Sequence, residues 1–97
     1  MTEFYEQVKE RLMRYARINT ESDPHSTSVP TTSCQHDLAS VIYEELQEIG
    51  ATNVYYDKDT CVVYGSLEAN VKTGRAIGFV THMDTAPDAS GKDVKPW

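Results

Sequence analysis

The chain has 97 residues, enough for one small domain that buries about two thirds of its unfolded surface. Acidic residues exceed basic ones by 15 to 9, for a net charge of -6, and the lysines and arginines form no run, which argues against phosphate-driven nucleic-acid binding. A hydrophobic share of 39% argues against wholesale disorder, and no apolar run approaches the ~20 residues that a membrane helix needs.

The opening residues, Met1-Thr2-Glu3-Phe4-Tyr5-Glu6, lack the basic and apolar regions of a secretory signal, so a cytoplasmic location is expected. Cys34 and Cys61 lie far apart and outside any C-x-x-C spacing, so they are read as two reduced, partly buried thiols. Phe4, Val8, Leu12 and Tyr15 recur at helical spacing between charged residues and predict an amphipathic helix from Glu3 to Ile18, capped by Thr2. Residues 19–30 are polar, hold two prolines and have no periodicity, which predicts a loop carrying His25.

Thr32 followed by Gln35 three residues later fits a capping box. Leu38, Val41, Ile42, Leu46 and Ile49 then form one apolar stripe ending at Gly50, so a second helix is predicted there. Residues 53–56 and 61–67 are rich in β-branched and aromatic residues, and the Asp57-Lys58-Asp59-Thr60 turn between them predicts a hairpin. After a polar connection over 68–75, the near-continuous apolar run Ala76 to Thr81 predicts a third strand covered on both faces and the most buried of the three. The expected fold class is α/β, with two helices packed on a mixed sheet. Three strands hardly complete such a sheet, so the chain reads as part of a larger one, with apolar surface available for self-association.

The tract ending in His82-Met83-Asp84 carries the chemistry. Strand alternation points His82 and Asp84 to one face and Met83 to the other, at the carboxyl end of a strand, where ligands bind in open α/β sheets. Imidazole is a favoured zinc ligand, and a neighbouring carboxylate fixes its tautomer. Histidine and aspartate at this spacing also occur as simple loop caps, so the pair alone does not decide between the two readings.

The residues Gly78-Phe79-Val80-Thr81-His82-Met83-Asp84-Thr85-Ala86-Pro87-Asp88-Ala89-Ser90-Gly91-Lys92 resemble the first metal-site segment of the peptidase T family, the tripeptide aminopeptidases among the M20 zinc metallopeptidases. Residues 11–20 resemble that family's first helix and its exit, Val29-Pro30-Thr31-Thr32 the entry to its second, and residues 46–54 the following helix and strand. The resemblance implies a cytoplasmic aminopeptidase that uses two zinc ions to release the N-terminal residue of tripeptides. It implies that His82 is a ligand of one metal ion and Asp84 the active-site carboxylate that orients the metal shell. It also implies that residues 1–97 are the N-terminal part of the catalytic, zinc-binding domain. The remaining ligands, the general base and any dimerisation or lid domain would lie beyond Trp97, leaving this segment inactive alone. No nucleic-acid or membrane partner is expected. Two alternatives stay open: an M20 dipeptidase, deacylase or carboxypeptidase, and a non-catalytic αβ protein-binding module in which His82 and Asp84 only finish a strand.

Other conspicuous residues have plainer readings. Tyr55, Tyr56 and Tyr64 are expected to pack across the hairpin rather than bind substrate. Thr85, Pro87 and Asp88 either shape a substrate entrance or form an ordinary turn. Glu44, Glu45 and Glu48 read as a solvated helix face, His25 as a solvated loop residue and His36 as an exposed residue in the first turn of the second helix.

Overall fold

The computed structural model describes residues 2–72 and 74–97. Helix α1 spans Thr2–Ala16, helix α2 Gln35–Glu48, and strands β1, Thr52–Asp57, and β2, Val62–Ser66, follow. The result is a small αβ unit in which α2 packs against a two-stranded antiparallel hairpin. Among the described residues no helix is long and apolar enough to cross a membrane.

α2 runs close to its predicted span, with a different start. Cys34 stands at the N-cap in helical conformation without a side-chain cap, so the expected capping box does not form. Thr32 instead donates its hydroxyl to the Glu21 carbonyl at 2.7 Å and accepts from Gln35 Nε2 at 3.1 Å, tying the loop to the helix. The C-terminus is closed by Gly50 at φ +86°. Its N–H donates to Gln47 O and the Ala51 N–H to Leu46 O, at 3.1 and 3.0 Å, the two bonds of a Schellman motif. The chain therefore turns sharply into β1.

The hairpin pairs Tyr55 with Tyr64, Tyr56 with Val63 and Asp57 with Val62, and its register shifts between Thr52 and Tyr55. Asn53 at φ +51° sits in that irregularity, and Cys61 at φ +59° closes the turn. The Tyr55 and Tyr64 rings stack with centroids 6.1 Å apart, as the packing reading expects. Leu38, Ala39 and Cys61 are the buried apolar residues, so the core lies between α2 and the hairpin, where Gly65 lets Leu46 approach closely. Cys34 and Cys61 are free thiols, half-buried and buried respectively.

Other expectations are corrected. Thr2 is the first residue of α1 rather than its cap, and the helix stops at Ala16. Its stripe does not pack: Phe4, Val8 and Leu12 are exposed, and α1 is joined to α2 by polar contacts at Glu45. Residues 76–81 form no strand, and Ile77, Phe79 and Val80 are 83%, 91% and 100% exposed. A strand is held by ladder hydrogen bonds and by cover on its faces. Among the described residues neither reaches this run, so the sheet is a two-stranded antiparallel one and not mixed.

Candidate functional site

His82 and Asp84 come together on an extended segment. His82 Nδ1 lies 3.0 Å from Asp84 Oδ1 and 2.9 Å from the Asp84 carbonyl oxygen. Both neighbours are acceptors, so Nδ1 carries the proton and donates, which leaves the Nε2 lone pair unengaged by this pair. The His82 side chain is exposed, whereas Asp84 and Met83 are half-buried. The two side chains meet, although the supporting element is not the strand from which a same-face pair was expected.

The segment is fixed just beyond Asp84. Thr85 N–H donates to Thr20 O at 3.1 Å, and Thr85 O accepts from Ser22 N–H at 2.9 Å and from Ser22 Oγ at 3.1 Å. This makes a short parallel bridge between Glu21 and Thr85, beside Thr20, which is 2% exposed. Two recesses border the pair. Asp84 faces a cleft of about 430 Å³ formed with Ser22, Asp23, Thr31 and Gln35. His82 and Met83 border a groove of about 780 Å³ whose lining includes Leu12, Leu38 and Ile42.

The other sequence candidates lie apart from this pair. His25 is exposed in its loop, as expected. His36 is half-buried rather than exposed, because its Nδ1 shares a hydrogen bond with the Tyr56 hydroxyl and its ring lies 5.8 Å from that of Tyr56. Burial is the largest influence on the Tyr56 phenol, and together with the neighbouring Cys61 it pushes the phenol up. Glu44 and Glu48 are exposed, but Glu45 is not a solvated residue. Its carboxylate accepts from the Tyr15 hydroxyl and faces Arg14 Nη1 and Arg11 Nε. Sequence periodicity placed Glu45 on the polar side of α2 without showing that α1 would supply its partners. The role of residues 20–22 in holding Thr85 had no sequence signal beyond the polar loop itself.

Among the described residues, no group of three His, Cys, Asp or Glu side chains could hold a metal ion. His82 supplies one imidazole nitrogen with a carboxylate behind it, which suits a zinc ligand and its supporter, and a complete zinc shell needs more donors.

No family model matches the sequence. Curated proteins do. A peptidase T of Alkaliphilus oremlandii is 44% identical over 90 residues, covering 90% of this chain and 22% of that protein. Peptidase T of Geobacillus kaustophilus is 46% identical and that of Clostridium acetobutylicum 45%, each over 92 residues, 94% of this chain and 22% of the relative. The chain thus spans about a fifth of the length of the curated relatives it matches. These identities, running over nearly the whole sequence, show the chain to be related to peptidase T and to correspond to an N-terminal portion of it.

Proposed function

We propose that this chain contributes the first metal-ligand segment of a cytoplasmic, zinc-dependent aminopeptidase that removes the N-terminal residue from tripeptides. Residues 1–97 are then the N-terminal part of an M20-type catalytic domain whose other ligands and general base come from further sequence. The observation that carries this reading is the His82 ring, with Nδ1 committed to Asp84 and Nε2 left to bind. The identity to proteins named peptidase T supports it independently.

In this reading His82 Nε2 is a ligand to one of two zinc ions. Asp84 accepts the hydrogen bond from Nδ1–H, holds the ring in one tautomer and raises its basicity. Zinc held there would polarise the scissile carbonyl and lower the pKa of a bound water. Asp84 keeps the imidazole aimed while charge develops, and the Thr20–Ser22 contacts to Thr85 keep Asp84 in place.

The test is hydrolysis by the intact protein after metal removal and zinc reloading, with a tripeptide, a dipeptide and an N-acyl amino acid offered side by side. Zinc-dependent release of the N-terminal residue from the tripeptide supports the proposal. Preference for either other substrate moves the chain to another M20 activity, and no hydrolysis of any of them favours the binding module.

A further inference from the structure

Glu21 and Gly91, 70 positions apart in sequence, are joined by a hydrogen bond: Gly91 N–H donates to Glu21 Oε1 at 2.9 Å. Gly91 is buried there. A Cβ at this position would stand 2.8 Å from Asn19 Oδ1, 3.2 Å from Thr85 Oγ1 and 3.4 Å from Glu21 Cβ, so the close approach requires glycine. Asn19 cannot swing aside without loss, because its Oδ1 accepts the Glu21 N–H at 3.1 Å. The turn that follows the histidine–aspartate pair is therefore fastened at both ends. Thr85 is held by the backbone of Thr20 and Ser22, and Gly91 by the carboxylate of the residue between them.

This fastening bears directly on the site. His82 is exposed, and its ring is held through Asp84. Asp84 in turn is one residue from the anchored Thr85. A reactive group displaced by about 1 Å can lose most of its effectiveness, so the anchor governs the pair. We propose that Asn19, Glu21 and Gly91 form a clasp that positions the His82–Asp84 pair, which rests on the reading of that pair as the functional site. Glu21 is a positioning residue, since it acts through Gly91 and Thr85 and touches neither His82 nor Asp84 in the contacts described.

Three variants of the full chain test the clasp. Glu21→Ala removes the acceptor, Glu21→Gln keeps a carbonyl oxygen in the same place, and Gly91→Ala inserts the clashing methyl. The readouts are amide exchange at Gly91 and Thr85 and the nitrogen resonances of the His82 ring, which report its tautomer. In Glu21→Ala both amides should exchange at least about tenfold faster, as expected for the loss of a part-buried hydrogen bond. The His82 ring should then pass from one tautomer to a mixture. Gly91→Ala should do the same, and Glu21→Gln should keep both signatures. Unchanged Thr85 exchange or an unchanged His82 tautomer in Glu21→Ala overturns the proposal, and so does a Glu21→Gln variant as disturbed as Glu21→Ala. Neither readout needs zinc or peptide, so failure of the peptidase reading and failure of the clasp are told apart.

Discussion

Tyr15 and Glu45, thirty positions apart, join the two helices through a hydrogen bond from the phenol to Glu45 Oε2. Arg11 Nε lies 3.5 Å from the same oxygen and Arg14 Nη1 faces Oε1, so one half-buried carboxylate gathers three side chains of α1. The apolar stripe of α1 remains exposed, which makes this polar knot the attachment that the sequence pattern does not show. Replacing Glu45 by Ala should cost about 1–2 kcal/mol in urea unfolding, because the phenol loses its acceptor while the partly exposed arginines are screened by water.

The knot also sets a pH dependence. Burial opposes ionisation of Glu45, but the Tyr15 hydrogen bond and the charges of Arg14 and Arg11 outweigh it and hold the carboxyl below its ordinary value of 4.5. Ionised Glu45 therefore stabilises the folded state above pH 4.5, and this contribution is lost as pH falls through the lowered folded value. Burial and the Glu45 hydrogen bond push the Tyr15 phenol from 10.0 up to about 12. Its contribution is present below pH 10.0 and is lost as pH rises through about 12. Denaturation midpoints followed across pH should fall at both ends, and Glu45→Ala should flatten both falls.

Asn53 occupies the left-handed region at φ +51° where β1 departs from its register. Asparagine tolerates that conformation and a β-branched residue does not. Asn53→Val should destabilise the hairpin by about 1–2 kcal/mol, and Asn53→Gly should be close to neutral, in the same unfolding assay.

Burial sets the reactivity of the two thiols. It pushes the Cys61 thiol up from its ordinary value, against the opposing hydrogen bond with Tyr56, and Cys61 is also hidden in the core. Cys34 is half-buried. A thiol reagent at neutral pH should therefore modify Cys34 at least about tenfold faster than Cys61, with mass spectrometry assigning the site.

The parts legible in the sequence are those whose signals are local. The α2 stripe from Leu38 to Ile49 and the Gly50 stop were readable because helix period and a C-terminal glycine act within a few residues. The hairpin was readable for the same reason, from the turn cluster between two β-rich runs. The run Ala76 to Thr81 was misread because its pattern describes what would cover it, and a strand exists only where partners supply the ladder. His82 and Asp84 could be paired from their spacing alone. Glu45 with Tyr15, His36 with Tyr56 and Glu21 with Gly91 could not, because each contact depends on how distant segments fold back.

The exposed run has its own consequence. Ile77, Phe79 and Val80 expose apolar surface, and among the described residues the hairpin has no third strand. Such a combination favours association between copies. Sedimentation over a concentration series should show larger species for the 97-residue chain, and a Phe79→Ser, Val80→Lys double variant should shift it toward monomer. Amides of residues 76–80 should exchange faster than those of 62–65, whose strand is paired.

The central claim is that His82 binds metal with Asp84 behind it, and zinc analysis of the intact protein beside its His82→Ala and Asp84→Ala variants tests it most directly. The account predicts that His82→Ala loses zinc and tripeptide hydrolysis together. Asp84→Ala should keep a ligand in place and lose about 10- to 100-fold in zinc affinity or activity. Full zinc occupancy with undiminished hydrolysis in His82→Ala would contradict the account.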